Sequence, residues 1–203
     1  MSITSKIGES DGRLIRGERT KRQIIEAFIL VLRDRQRIPT VAQIAERAGY
    51  SVRTLYLHFA DVAALSIAAC DYAIERGLAV PIGTKVQESR EVRIQFQVEV
   101  RARNCEEWTP LWRMLLHYQG LAPELMRRVT LARRLVYERM QLMYQAELAM
   151  LSETDRHATL LALEALTDYE SWNRMRQEHG LPYEEACEVW RSVIDRMLPA
   201  TPA

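Results

Sequence analysis

Residues 40–59, TVAQIAERAGYSVRTLYLHF, constrain this chain more than any other stretch. Thr40 and Gln43 have the spacing of a capping box. Gly49 stands where a helix ends in a left-handed residue, and Ser51 can cap the helix after it. Two short helices joined by three residues must cross steeply, so the residue at their contact has to be small; Ala45 occupies that place. Ile44, Ala48, Leu55 and Phe59 supply apolar contacts that hold the pair against a preceding helix. This is the sequence form of a helix-turn-helix, whose second helix suits the major groove. That second helix leaves Val52, Arg53, Thr54, Tyr56 and His58 off the core. They offer a guanidinium to guanine or phosphate, hydroxyls to phosphate and methyls to thymine. A helical hairpin that only packs inside a structural bundle satisfies the same pattern.

The rest of the chain also reads as helix. An apolar stripe of Ile24, Phe28, Val31 and Leu32 predicts a first helix over about 17–36, started by a Thr20–Gln23 capping box. Asp61 caps a fourth helix that fades near Gly77. Further helices are expected at about 85–104 and 109–119. Pro123 opens a long helix to about 151, Ser152 caps one that Gly180 and Pro182 terminate, and a last one runs over 182–198. No alternating strand pattern exceeds four residues. The expected fold is all-α, with about nine helices.

Charge divides the chain unevenly. Its 203 residues hold 28 Lys and Arg against 27 Asp and Glu. Residues 1–60 carry 11 basic and 6 acidic side chains, a net of +5, and residues 61–203 carry 17 and 21, a net of −4. A small basic module on a larger acidic body points to nucleic acid, although such an excess also arises by chance. No run of about 18 apolar residues exists to span a membrane. The first residues, with Lys6, Glu9, Asp11 and Arg13, lack the apolar core of a signal peptide. Cys70, Cys105 and Cys187 are far apart and form no CxxC pair. This excludes a disulfide scaffold or zinc ribbon and suits the reducing cytoplasm. Catalysis finds little support, because His58, His117, His157 and His179 are scattered and no H-E-x-x-H, phosphate loop or nucleophile elbow occurs. No metal or cofactor is expected.

The run Thr40-x-x-x-Ile44-Ala45-x-x-Ala48-Gly49-x-Ser51-x-x-Thr54-Leu55-Tyr56-x-x-Phe59 resembles the signature of the TetR family of bacterial transcriptional regulators. The motif resemblance covers about residues 15–70; beyond it the chain agrees in length and helicity. The resemblance implies a three-helix DNA-binding domain (residues 1–60) and a larger helical ligand-binding and dimerisation domain (residues 61–203). It implies a repressor that binds a palindromic double-stranded DNA operator as a homodimer and leaves it on binding a small effector. Carried over by position, Thr40, Ser51, Val52, Arg53, Thr54, Tyr56 and His58 are the DNA-binding candidates. One departure is Val62, where the family commonly has a lysine; Arg13, Arg16, Arg19, Lys21 and Arg22 are possible compensating contacts, or simply a solvated face.

Two further expectations concern the body. Trp108, Trp112, Tyr137, Met140 and Tyr144 recur at helical spacing and are candidates to line a pocket for an apolar or aromatic effector, with plain core packing as the alternative. His117 beside Tyr118 is a weaker candidate, and Arg101 a polar anchor. For the dimer interface the candidates are Leu160, Leu163 and Leu166, with Trp190, Val193, Ile194 and Met197; the same stripes also suit each subunit's own core. A helical enzyme or adaptor without DNA function, or a regulator without a ligand, remains the competing reading.

Overall fold

The computed structural model describes residues 4–35, 38–117 and 123–202. Ten α-helices follow one another with no strand among the described residues. They are α1 (Thr4–Arg35), α2 (Val41–Ala48), α3 (Val52–His58), α4 (Val62–Leu78), α5 (Arg90–His117), α6 (Pro123–Met143), α7 (Gln145–Leu148), α8 (Glu153–Leu166), α9 (Tyr169–Asn173) and α10 (Tyr183–Met197). A 3-10 turn over Gly83–Gln87 links α4 to α5, and a π turn over Arg174–Glu178 extends α9. The all-α expectation holds, with differences in where helices start and break.

The first difference is α1. Thr20 does not cap a helix start but sits inside a 32-residue helix, its hydroxyl donating to the Arg16 carbonyl at 3.0 Å. Leu14 and Ile15, on the added turns, are exposed and give no core-facing signal. Ile24 and Phe28 farther along are fully buried and pack with Ile44 of α2 and Leu55 of α3. The same core continues through Leu65 and Ala69 of α4 into Trp108 and Leu111 of α5. Gly49 ends α2 at φ 73°, ψ 26°, as its position requires. Nothing lies within 4 Å of where a Cβ would stand, so Gly49→Ala should cost about 1–2 kcal/mol from left-handed strain alone. Urea unfolding would show this as a lower midpoint with an unchanged slope.

The second difference is that α5 is one helix, where two were expected. Pro110 lies inside it and removes one backbone donor. Trp108, Leu111, Trp112, Met114 and Leu115 are buried on both sides of that proline, and this packing carries the helix through. Arg33 of α1 donates to the Glu107 carbonyl at 3.2 Å and ties the stretch to the N-terminal helices.

Two long helices expected from the sequence are each broken, and an arginine of α5 sits at each break. The helix from Pro123 stops at Tyr144, which leaves helical geometry at φ −111°, ψ 22°. Arg93 donates there to the Met143 carbonyl at 2.8 Å and pairs in bidentate fashion with Glu147 of α7. The helix from Ser152 stops at Thr167, whose carbonyl accepts from Arg101 Nε at 2.7 Å. Asp168 then caps α9 by accepting from the Ser171 N–H at 2.7 Å. Arg93, Gln97 and Arg101 are spaced four apart on one face of α5 and are all buried.

α10 packs on α5 and α8 around a second core. This corrects the expected dimer stripes. Leu160, Leu163, Trp190 and Ile194 are buried within their own subunit, where Trp172 packs on Trp190 at 4.8 Å between ring centroids. Val193 and Met197 are half-buried, and only Leu166 of the expected set is exposed. The outward apolar groups are Leu161 (48% exposed), Leu166 (44%) and Val189 (41%).

Candidate nucleic-acid interface and effector cavity

The turn between α2 and α3 is fixed by local hydrogen bonds that the sequence encodes. Thr40 Oγ1 accepts from the Gln43 N–H at 3.3 Å, and Gln43 Oε1 accepts from the Thr40 N–H at 3.0 Å, completing the capping box. The Gly49 and Tyr50 N–H groups donate to the carbonyls that end α2, at 3.2 and 3.0 Å. Ser51 Oγ accepts from the Thr54 N–H at 3.0 Å and lies 2.9 Å from the Thr54 hydroxyl. Tyr50 closes the unit by donating its hydroxyl to Gln23 of α1 at 2.5 Å. With both helix starts capped, α3 is held without depending on its exposed side chains.

Those side chains are the ones the sequence singled out. Leu55 is fully buried, whereas Val52 is 41% and Tyr56 52% exposed, and Arg53 is exposed beside them. Among the described residues Arg53 makes no ion pair. Thr54 and His58 are half-buried at the edges of this face, and Thr40 and Ser51 are exposed at the helix starts. A hydroxyl that accepts a capping bond still has its own hydrogen to donate, so both can reach phosphate. Leu57 also stands exposed on α3, and the sequence pattern gave no sign of it. Val62 is half-buried against the core, so this position supplies no cation to phosphate. Asp61 nevertheless caps α4, accepting from the Ala64 N–H at 2.7 Å. Arg16, Arg19, Lys21 and Arg22 lie on α1, with Lys21 paired to Glu18 at 2.8 Å.

The five expected pocket residues are not brought together. Met140 and Tyr144 are fully buried in the second core, and Tyr137 hydrogen-bonds His157 at 3.2 Å. Tyr118 and the side chain of His117 lie outside the described residues. Trp108 and Trp112 do line a cavity, of about 90 Å³, whose walls are α4, α5, α6 and Tyr169. Cys70, Ala73, Ile74 and Gly77 form the α4 wall, and Val129, Leu135 and Val136 part of the α6 wall. Trp112 stacks on Tyr169 at 4.8 Å, and Tyr72 meets Trp108 edge-on at 6.2 Å. This volume is below the ~300 Å³ at the small end of ligand pockets. The expectation of a ready pocket among the five residues is corrected accordingly. Burial pushes the Cys70 and Cys105 thiols up to about 12, which makes them inert small apolar groups. No group of three His, Cys, Asp or Glu able to hold a metal stands among the described residues. Nor is any single helix there long and apolar enough to cross a membrane.

No protein-family model and no curated protein matches the sequence. Solved structures do match the fold. A transcriptional regulator from Rhodococcus sp. Rha1 is 14% identical and superposes with a TM-score of 0.67 over 90% of this chain and 99% of its own. A structure assigned to the TetR family, from Rhodococcus sp., is 22% identical with a TM-score of 0.65 over 88% and 98%. This is the TetR-type fold. A multidrug binding protein, EbrR, crystallised with imidazole, shares it at 18% identity and a TM-score of 0.56, over 90% of this chain and 96% of its own. The likeness first carried by residues 40–59 thus extends, as fold, along nearly the whole chain.

Proposed function

We propose that this protein is a DNA-binding transcriptional regulator, not an enzyme, which acts in the cytoplasm as a homodimer. Residues 1–60 read DNA and residues 61–203 dimerise and sense a small molecule. The observation that carries this reading is the bare Val52, Arg53 and Tyr56 face on an α3 whose Leu55 anchor and Ser51 cap are fully engaged. Arg53 and Val52 read bases, and Tyr56, His58, Thr54, Ser51 and Thr40 hold phosphate. The +5 charge of residues 1–60 supports the contact with DNA. The outward groups Leu161, Leu166 and Val189 on the adjoining α8 and α10 are the apolar faces a second copy would cover.

Repression is relieved by a ligand that enlarges the cavity. In this scheme the narrow cavity, about 90 Å³, belongs to the DNA-bound form, and any larger occupant must displace a wall. α4 is that wall and also shares the core of the reader through Leu65 and Ala69. A ligand that binds only the widened state therefore shifts the spacing of the two recognition helices. A coupling of about 1–3 kcal/mol would lower DNA affinity roughly 5- to 150-fold.

Selection from a randomised duplex library, followed by gel shift, tests the DNA reading. The selected site should be palindromic, with half-site centres about 34–36 Å apart or a multiple of that. Arg53→Ala should cost about 1–3 kcal/mol on that site and relax one position, while His58→Ala weakens all duplexes more evenly. A library that yields no enriched sequence would favour the packing-only reading of α2 and α3.

A further inference from the structure

The cavity wall holds three arginines and no carboxylate: Arg101, Arg128 and Arg139 are among its lining residues, and neither Asp nor Glu is. One of the three is already neutralised. Arg128 binds Asp71 at 2.9 Å and also pairs with Glu124. Arg101 donates its Nε to the Thr167 carbonyl at 2.7 Å and lies over the Tyr169 ring at 4.8 Å, with no carboxylate paired to it among the described residues. Arg139 is the one of the three with a buried nitrogen that finds no acceptor. Its Nε donates to Gln97 Oε1 at 3.1 Å and its Nη1 to the Val80 carbonyl at 2.8 Å, both neutral acceptors, and its guanidinium lies over the Phe96 ring at 5.7 Å. No carboxylate pairs with it among the described residues, and its Nη2 is buried without any acceptor.

The indole N–H groups of Trp108 and Trp112 are likewise buried without an acceptor. Three of the five such orphan atoms among the described residues thus belong to side chains around this one cavity, and all three are donors. A half-buried guanidinium without a counter-ion and orphan N–H groups are each costly, and a single kind of ligand relieves both. Burial also pushes the Arg139 guanidinium downward, which marks how little compensates its charge.

We infer that the cavity takes a small organic anion, a carboxylate on a short apolar body, with Arg139 as its charge partner. This deepens, and rests on, the reading of the cavity as the effector site. The apolar surface of Ile74, Val129, Leu135 and Val136 receives the body of the ligand, and the acceptor-poor, donor-rich wall selects the anionic head. Arg–carboxylate pairing away from water is strong and geometrically selective. An organic cation meets the opposite conditions, since no lining carboxylate balances it.

Titration of the intact protein with butyrate and benzoate, against butylamine, benzylamine and benzyl alcohol, tests the class, with tryptophan fluorescence and the melting temperature as readouts. Both carboxylates should give saturable quenching and raise the melting temperature, and the amines neither. Arg139→Met should weaken carboxylate binding by about tenfold or more. Because Arg139 also holds the Val80 carbonyl, Trp108→Phe provides a second variant that keeps an aromatic side chain, removes one donor and should weaken binding severalfold. Amines or the alcohol binding as well as the acids, no binding by either acid, or full affinity in a folded Arg139→Met would overturn the inference. Amines that bind and release DNA would leave the effector reading intact while removing the carboxylate. Carboxylates that bind through Arg139 without altering DNA affinity would keep the ligand class and remove the regulatory role.

Discussion

Glu147→Ala is expected to lower the unfolding free energy by about 3–5 kcal/mol, the cost of leaving a buried charge unpaired. Glu147 is fully buried, and its carboxylate receives both terminal nitrogens of Arg93, itself buried on α5. Thr201 donates to the same carboxylate at 2.6 Å, and Arg90 binds the Pro199 carbonyl at 2.5 Å and Asp195 at 2.8 Å, so the end of the chain is tied to this point. Replacing both partners at once, Arg93→Met with Glu147→Met, should cost much less than Glu147→Ala alone, because no unpaired charge remains. Burial by itself raises the Glu147 carboxyl, but the hydrogen bonds from Arg93 and Thr201 hold it below the ordinary carboxylate value. A native value that is depressed means stability complete above the unfolded value of about 4.3 and lost as pH falls through the native one. Unfolding measured across that acid range should fall more steeply for the wild type than for Glu147→Gln.

Trp190→Ala is expected to cost about 3–5 kcal/mol, the range for emptying a large aromatic site in a core. Trp190 is buried within its own subunit against Trp172, so the loss should not depend on protein concentration. Leu161→Glu with Leu166→Glu should behave in the opposite way. Both side chains face outward, so the fold should keep its stability while sedimentation shows more monomer. If Trp190→Ala instead lowered stability only on dilution, the indole would belong to the subunit interface.

These contrasts also show what the sequence could and could not reveal. Caps and left-handed glycines are local devices, and Thr40, Gly49, Ser51 and Asp61 each stand where their chemistry required. The reading of α3 was equally local, because burying Leu55 necessarily turns Arg53 and Tyr56 outward. The breaks at Tyr144 and Thr167 were not legible, since neither has a Gly or Pro and each is held by an arginine from α5, 50 and 66 residues away. For the same reason only half of the cavity is legible in the sequence. Trp108 and Trp112 line it, but its polar character comes from Arg101 and Arg139 on different helices. The stripe Leu160, Leu163, Trp190 and Ile194 was visible as apolar spacing, and spacing alone cannot say whether a neighbouring helix is one's own or a partner's.

In the proposed function α3 binds DNA through Arg53 and Tyr56 on a phosphate-dominated footing. Fluorescence anisotropy with a labelled duplex from upstream of the protein's own reading frame, run from 50 to 200 mM salt, tests this. The wild type should bind with an affinity that falls steeply and linearly in logarithmic salt concentration. Arg53→Ala with Tyr56→Ala, folded to the same melting temperature, should bind far more weakly and with a shallower slope. Salt-independent binding, or wild-type affinity in that double variant, would contradict the claim.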